Sequence, residues 1–350
     1  MTPKSPFAPR TILVYSGLEL MGDGFMKIPF LRALRGAWAQ AHITWLAGIG
    51  KTVYAGALRP LVAAYLDEII EDAGIGLRLA ELLHRPLAGR RFDLVIDTQR
   101  RVPTTLVLRR IRHEVFVSGA ADFRLSDRVP ARPYRKPPAM IAQMLDLIRA
   151  ASGAPLTFTP ASKLPAAFEA AARAALPEGE TCVGLVPGAG GRHKCWPLDR
   201  YIELARRCRA LALRPVFLLG PDERPWLARL SSEVPDACFP LQAPDPLAAS
   251  PIFTVALGRH LAFAVSNDCG TAHMLAAADC PLISLFGPTD PAKFAPLIGD
   301  LTVLRAQDFG GTTMEAIPLA AVVATVERRL ARHRQHESSP ARDGVPPPPC

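Results

Sequence analysis

Two successive series of short apolar runs, each alternating with helix-like stretches, constrain this chain more than any other feature. In the first series, runs 11–15, 43–46, 93–97 and 115–117 read as strands, with a helix-like stretch at 28–38. In the second, runs 182–186, 215–219, 261–265, 282–286 and 301–304 read as strands, with helices near 198–211, 223–231 and 246–258 between them. Repeated strand–helix alternation predicts a parallel sheet covered by helices, because each helix carries the chain back to the start of the next strand. Residues 152–165, punctuated by Pro155, Pro160 and Pro165, read as the linker. The expected fold is α/β, with two Rossmann-like domains whose parallel sheets face a central cleft. Helices at 138–149 and 320–334 complete the pattern, and 335–350, ending in four prolines and Cys350, reads as a disordered tail.

Length and composition agree. The chain has 350 residues, comfortable for two domains of roughly 150 each. An apolar share of 49% and a charged share of 21% exclude a disordered chain. The 41 Lys and Arg outnumber the 32 Asp and Glu. That excess fits a solvated basic surface, an anionic ligand or anionic lipid head groups. Nucleic acid is disfavoured, since no helix-turn-helix, zinc or aromatic-basic motif accompanies the charge. Seven cysteines, with no Cys-x-x-Cys pair, predict reduced thiols and neither a disulfide framework nor a zinc site. Lys4 and Arg10 precede no apolar signal core, and no run of 18 uncharged apolar residues occurs. A cytoplasmic protein is expected, with any membrane contact peripheral.

Chemistry-bearing residues gather at strand ends. Ser266, Asn267, Asp268, Cys269, Gly270, Thr271 and His273 form a polar turn between a strand and a helix. In open parallel sheets ligands bind at that edge, and a helix start favours an anion. The loop from Pro187 to Pro197, with Gly188, Ala189, Gly190, Gly191, Arg192 and Lys194, likewise ends a strand. Its glycines let backbone N–H groups approach an oxyanion, or simply make a flexible turn. A dinucleotide fingerprint would need glycine at His193. Gly48–Ile49–Gly50–Lys51–Thr52 is not a P-loop, because Trp45 stands where its first glycine belongs. Gly22–Asp23–Gly24 lies between the first strand and its helix. Asp23 could accept a proton from an attacking hydroxyl, or could simply cap a helix or turn; the residues alone leave both open. Glu223, after Gly220–Pro221–Asp222, could bind ribose hydroxyls or complement a helix start. His273 reads in part as structural, and no second ligand at metal spacing accompanies it.

Taken in order, these segments resemble glycosyltransferase family 9, the ADP-heptose:lipopolysaccharide heptosyltransferases. The resemblance rests on Gly22–Asp23 with Pro29, Leu31, Arg32 and Leu34, then 43–46, then Pro187–Gly188–Ala189 through Lys194–Cys195–Trp196–Pro197. It continues in Gly220–Pro221–Asp222–Glu223, Asn267–Asp268 with Gly270 and His273, and 286–291. It implies a GT-B architecture: an acceptor domain over 1–158, a donor domain over 159–315, and a helix at 316–334 returning to the first domain. It implies an inverting, metal-independent transfer with no cofactor, from ADP-heptose to a lipopolysaccharide core acceptor. Asp23, flanked by Gly22 and Gly24 on the acceptor side, would be the general base. Lys194 would meet the donor diphosphate and Glu223 the ribose; Asp268 would meet the donor sugar, with His273 in the same turn. Gly188, Ala189, Gly190, Cys269, Gly270 and Thr271 would line the donor site. The chain departs from the family pattern at Ala189 and Gly190, where hydroxyl residues are frequent, and at Cys269, often Thr or Ser.

The expected partners are a nucleotide-sugar and an anionic glycolipid; basic stretches 128–136 and 328–334 read as ordinary solubilising charge, the slightly favoured reading, or as a peripheral dock on the inner membrane. The alternatives are a GT-B transferase using a UDP- or GDP-sugar, and a non-catalytic nucleotide-binding partner. A nicotinamide-dependent dehydrogenase is disfavoured by the failed fingerprint.

Overall fold

The computed structural model describes residues 7–75, 79–83 and 85–338. By internal packing the chain divides into two units, Met1–Lys163 and Leu164–Cys350. The division falls inside the Pro-punctuated stretch, a few residues after the expected 158/159 boundary.

The first unit holds β1 (Thr11–Ser16), β2 (His42–Ala47), β3 (Glu68–Ile70), β4 (Arg91–Asp97) and β5 (Arg112–Ser118). All pair in parallel, in the order β3-β2-β1-β4-β5. Its helices are α1 (Met21–Met26), α2 (Ile28–Ala37), α3 (Arg59–Val62), α4 (Val102–Leu108) and α5 (Met140–Ser152). The strands are nearly continuous apolar runs because a parallel sheet is covered on both faces. Leu13, Tyr15, Leu46, Val95 and Phe116 form part of one core cluster. Gly153, at φ 69°, ends α5 in the left-handed conformation that glycine adopts without steric cost.

The second unit begins with α6 (Ala166–Ala174), followed by β6 (Thr181–Val186), α7 (Leu198–Ala210) and β7 (Leu213–Phe217). Next come α8 (Leu227–Glu233), α9 (Pro251–Gly258), β8 (Phe263–Asn267), α10 (Gly270–Ala277) and β9 (Leu282–Phe286). It closes with α11 (Pro291–Phe294), β10 (Leu301–Arg305) and α12 (Leu319–Ser338). This sheet is also parallel, in the order β10-β9-β8-β6-β7. Strand order reverses between β1 and β4 in one sheet and between β6 and β8 in the other. Each reversal opens a crevice at the carboxyl ends, where loops leave in opposite directions.

Several expectations need correction. β3 escapes sequence reading because three half-buried residues carry no usable period. Asp23 is not in a simple connection but inside α1. The helix expected at 223–231 opens as a 3-10 turn, Pro221–Trp226, because Pro225 cannot donate to an α-helical ladder. The one expected at 246–258 is split at Ser250, whose side chain caps α9 from outside at Ile252 N. β8 runs two residues further than read, so Asn267 closes a strand. Val322, Val326 and Leu330 of α12 lie in the core cluster of the second unit. Arg329, buried in the same helix, ion-pairs Asp300 and donates to Thr302 Oγ1. α12 continues through Ser338, beyond the expected tail start at 335. The rest of that tail, and Lys4, lie outside the described residues.

Candidate functional site

The second unit builds its site at the β6/β8 reversal. Asn267, buried at the end of β8, ties the two loops together. Its Nδ2 donates to Pro187 O at 2.8 Å, and its Oδ1 accepts from Trp196 N at 3.2 Å. The Tyr201 hydroxyl lies 3.2 Å from the same Oδ1 and 2.9 Å from Val186 O. Trp196 is buried against Tyr201, with ring centroids 5.2 Å apart, and its indole donates to Ile317 O at 2.9 Å. Both ends of the glycine loop are therefore fixed, while Gly188–Gly191 spans between them. The sequence marked Asn267 as part of a motif; its clamping of two loops was not legible there.

That frame presents charge. Lys194 ends a short 3-10 turn, Arg192–Lys194. Its Nζ lies 3.1 Å from Asp268 Oδ2, across 74 residues of sequence. It also stands 5.9 Å from the ring centroid of Phe294, a half-exposed aromatic that sequence reading did not select. His273, on α10, hydrogen-bonds the backbone of Phe294; burial holds its imidazole below the ordinary value, against the opposing pull of Asp268. Cys269 precedes α10, its sulfur 3.4 Å from Ser266 Oγ. Burial raises its thiol, opposed by that contact and by the amides of Ala272 and Thr271. Neutral near pH 7, it is no extra anion beside Asp268.

Glu223 reaches the same loop from the far side of β6. Its Oε2 accepts Gly220 N at 3.0 Å, so the helix-start role foreseen for it is real. Burial raises its carboxyl, opposed by the Gly220 amide. A Cβ on Gly188 would stand 2.3 Å from Glu223 Cδ, so this carboxylate rests directly on the glycine loop. Gly190 and Gly270, by contrast, have open space where a Cβ would be. The structure thus brings Gly188, Lys194, Glu223, Asp268, Cys269 and His273 to one sheet edge. Ala189, Gly190, Gly270 and Thr271 lie in the two loops that carry them. Chemically, the edge offers cations in Lys194 and Arg192, whose charge reaches Glu223, with glycine-loop amides and acceptor carboxylates, a set suited to a diphosphate with a polyol on either side.

Asp23 belongs to the first unit, at the carboxyl end of β1. It is the third residue of α1, and its Oδ2 accepts Leu20 N at 3.3 Å, the capping role read as one alternative. Gly24 is required by packing, since a Cβ there would meet Val53 at 2.7 Å; Gly22 is not. Behind Asp23 lie two residues missed in the sequence, Glu19 and Lys27, which form a buried ion pair at 3.2 Å. The Gly48–Thr52 stretch serves this pair rather than a phosphate: Thr52 Oγ1 donates to Glu19 Oε2.

The family model described as "Glycosyltransferase family 9 (heptosyltransferase)" matches residues 81–315. Lipopolysaccharide heptosyltransferase 2 of Salmonella typhimurium is 32% identical over 128 residues, 35% of this chain and 36% of that protein. The match therefore spans about a third of the length of that relative. Among solved structures, a family 9 glycosyl transferase from Veillonella parvula superposes with a TM-score of 0.70 at 18% identity, over 94% of this chain and 99% of its own. E. coli heptosyltransferase WaaC with ADP superposes with a TM-score of 0.63 at 21% identity, over 91% of this chain and 99% of its own. At such identities these structures speak for the fold, which is GT-B with two Rossmann-like domains. With more than half of its length matched by the family model, the chain belongs to glycosyltransferase family 9, the heptosyltransferase family.

Proposed function

We propose that this protein transfers a heptose from ADP-heptose to a sugar of the lipopolysaccharide core, with inversion, in one displacement and without a metal. The observation that carries the reading is the Lys194–Asp268 pair at 3.1 Å beside the loop that rests on Glu223. In this reading Lys194 and the loop amides meet the charge that grows on the departing diphosphate. Asp268 gives up its contact with Lys194 to hold the sugar hydroxyls. Glu223 takes the ribose, and Asp23 accepts the proton of the attacking acceptor hydroxyl.

Thermal unfolding with ADP, UDP or GDP tests the donor side. At roughly 100 times Kd a nucleotide stabilises by about 2.7 kcal/mol, several degrees for a chain of this size. A shift with ADP that is lost in Lys194→Ala is the expected result. A shift with UDP or GDP alone would replace the donor, and an unchanged ADP shift in Lys194→Ala would remove Lys194 from the site. For Asp23→Asn the expected loss of turnover is about 10²-fold or more, with nucleotide affinity retained. Turnover should persist in EDTA.

The acceptor in this reading is an anionic glycolipid at the cytoplasmic face of the inner membrane. Among the described residues no helix is long and apolar enough to cross a membrane, so contact would be peripheral. Of the basic residues first considered, Arg128 donates to Ala151 O and Arg334 to Leu211 O. The docking charge is then carried by exposed Arg132, Arg135, Lys136 and Arg332. Loss of sedimentation with anionic vesicles as salt rises supports docking; no sedimentation at low salt removes it.

A further inference from the structure

The loop after β1 inverts the usual order of burial. Leu18 and Leu20 are 58% and 68% exposed, while Glu19 between them is 3% exposed. Apolar burial alone would select the opposite arrangement. Glu19 turns inward to Lys27, whose Nζ lies 3.2 Å from Glu19 Oε1 and 2.9 Å from Ser16 Oγ. Glu19 Oε2 accepts from Thr52 Oγ1 at 2.5 Å and from Trp45 Nε1 at 3.4 Å, and the ammonium stands 5.8 Å from the Trp45 ring centroid. Both charges are satisfied, yet a buried pair of this kind is weak support for stability, because desolvation offsets its attraction. Its value lies in geometry.

Asp23 sits midway between the two. Its carboxylate accepts the amide of Leu20, the residue after Glu19, and its carbonyl accepts the amide of Lys27. The ion pair then closes a ring: Glu19, Leu20, Asp23, Lys27 and back to Glu19. Tyr54, fully buried, donates to Gly24 O at 2.8 Å and fixes the turn from below. We propose that Glu19 and Lys27 are positioning residues, a cross-brace that holds the Asp23 carboxylate in register for proton transfer. The proposal rests on the reading of Asp23 as general base.

The test is a double-mutant cycle on the full chain. Glu19→Gln with Lys27→Met removes both charges together; Gln keeps an acceptor for Thr52 and Trp45, and Met keeps the length. The expected result is a fall in kcat of about tenfold or more with donor KM unchanged, the scale of a misplaced catalytic group. In the Asp23→Asn background the same pair of substitutions should cost nothing further, because the group being positioned is already gone. Turnover within about twofold of wild type, or an equal loss in both backgrounds, would overturn the proposal. If the double variant does not fold, Thr52→Ala loosens Glu19 from outside the segment. A kcat loss absent from the Asp23→Asn background supports the brace, and an unchanged kcat sinks it. Full turnover in Asp23→Asn alone would reject the base assignment instead, so the two failures are told apart.

Discussion

At the residue scale, the glycine loop is decided by single positions. A Cβ on Gly188 would overlap Glu223, whereas one on Gly190 meets open space. Gly188→Ala should therefore displace the carboxylate, at an overpacking cost to stability of about 1–3 kcal/mol, and weaken ADP binding, while Gly190→Ala stays near wild type. Calorimetric titration of both variants checks this, and equal affinities would detach Glu223 from the nucleotide. His273 gives a pH prediction. Its folded-state pKa is depressed by burial, so the unfolded chain takes up a proton first as pH falls. Stability is then lost as pH drops from about 6.5 toward the folded value. His273→Asn should remove that component from the pH dependence of the unfolding midpoint. An unaltered pH profile would mean the ring is not held neutral.

At the element scale, short pieces depend on specific polar bonds more than on period. β3 is held at the sheet edge by Glu68, which takes a two-bond contact from Arg90 at 2.8 and 2.6 Å and one from Thr44 at 2.8 Å. The Arg90 bonds lead in lowering the Glu68 carboxyl to about 2. A depressed carboxyl stabilises above its unfolded value near 4.5 and loses that contribution as pH falls through about 2. Arg90→Met should flatten acid unfolding across that window, by no more than about 1 kcal/mol because the pair is a third exposed. α12 is the opposite case, an element held by apolar burial. Deleting residues 319–338 strips Val322, Val326 and Leu330 from the second core. At about 1.5–3 kcal/mol per buried side chain, that loss should unfold the second unit under native conditions, as circular dichroism would show. A folded truncate would mean the helix is dispensable packing.

At the scale of the whole molecule, two sheets with different strand orders both place their reversal next to chemistry: Asp23 after β1 in one, Lys194 and Asp268 after β6 and β8 in the other. Each unit has its own core, so a nucleotide should stabilise the unit that holds it. Calorimetry or proteolysis with ADP should show protection concentrated in residues 164–338, and equal protection of both units would contradict a donor site in the second.

Much of this was legible in the chain itself. Strands buried on both faces read as apolar runs, which is why β9 was bounded to the residue and the others, β3 apart, to within a few. The motifs kept their order because loops at one sheet edge recur at each crossover. What stayed hidden were partnerships across distance: Lys194 with Asp268, Asn267 with Pro187 and Trp196, Glu19 with Thr52. No local period links such residues; only the assembled sheet brings them within 3.5 Å. Local chemistry determined the strands, the glycine loops and the family. Tertiary structure alone decided that α12 completes the second core, that Glu223 leans on Gly188, and that a buried ion pair stands behind Asp23. Side-chain periodicity reports which face is apolar, whereas the pairing of charges depends on where distant loops meet.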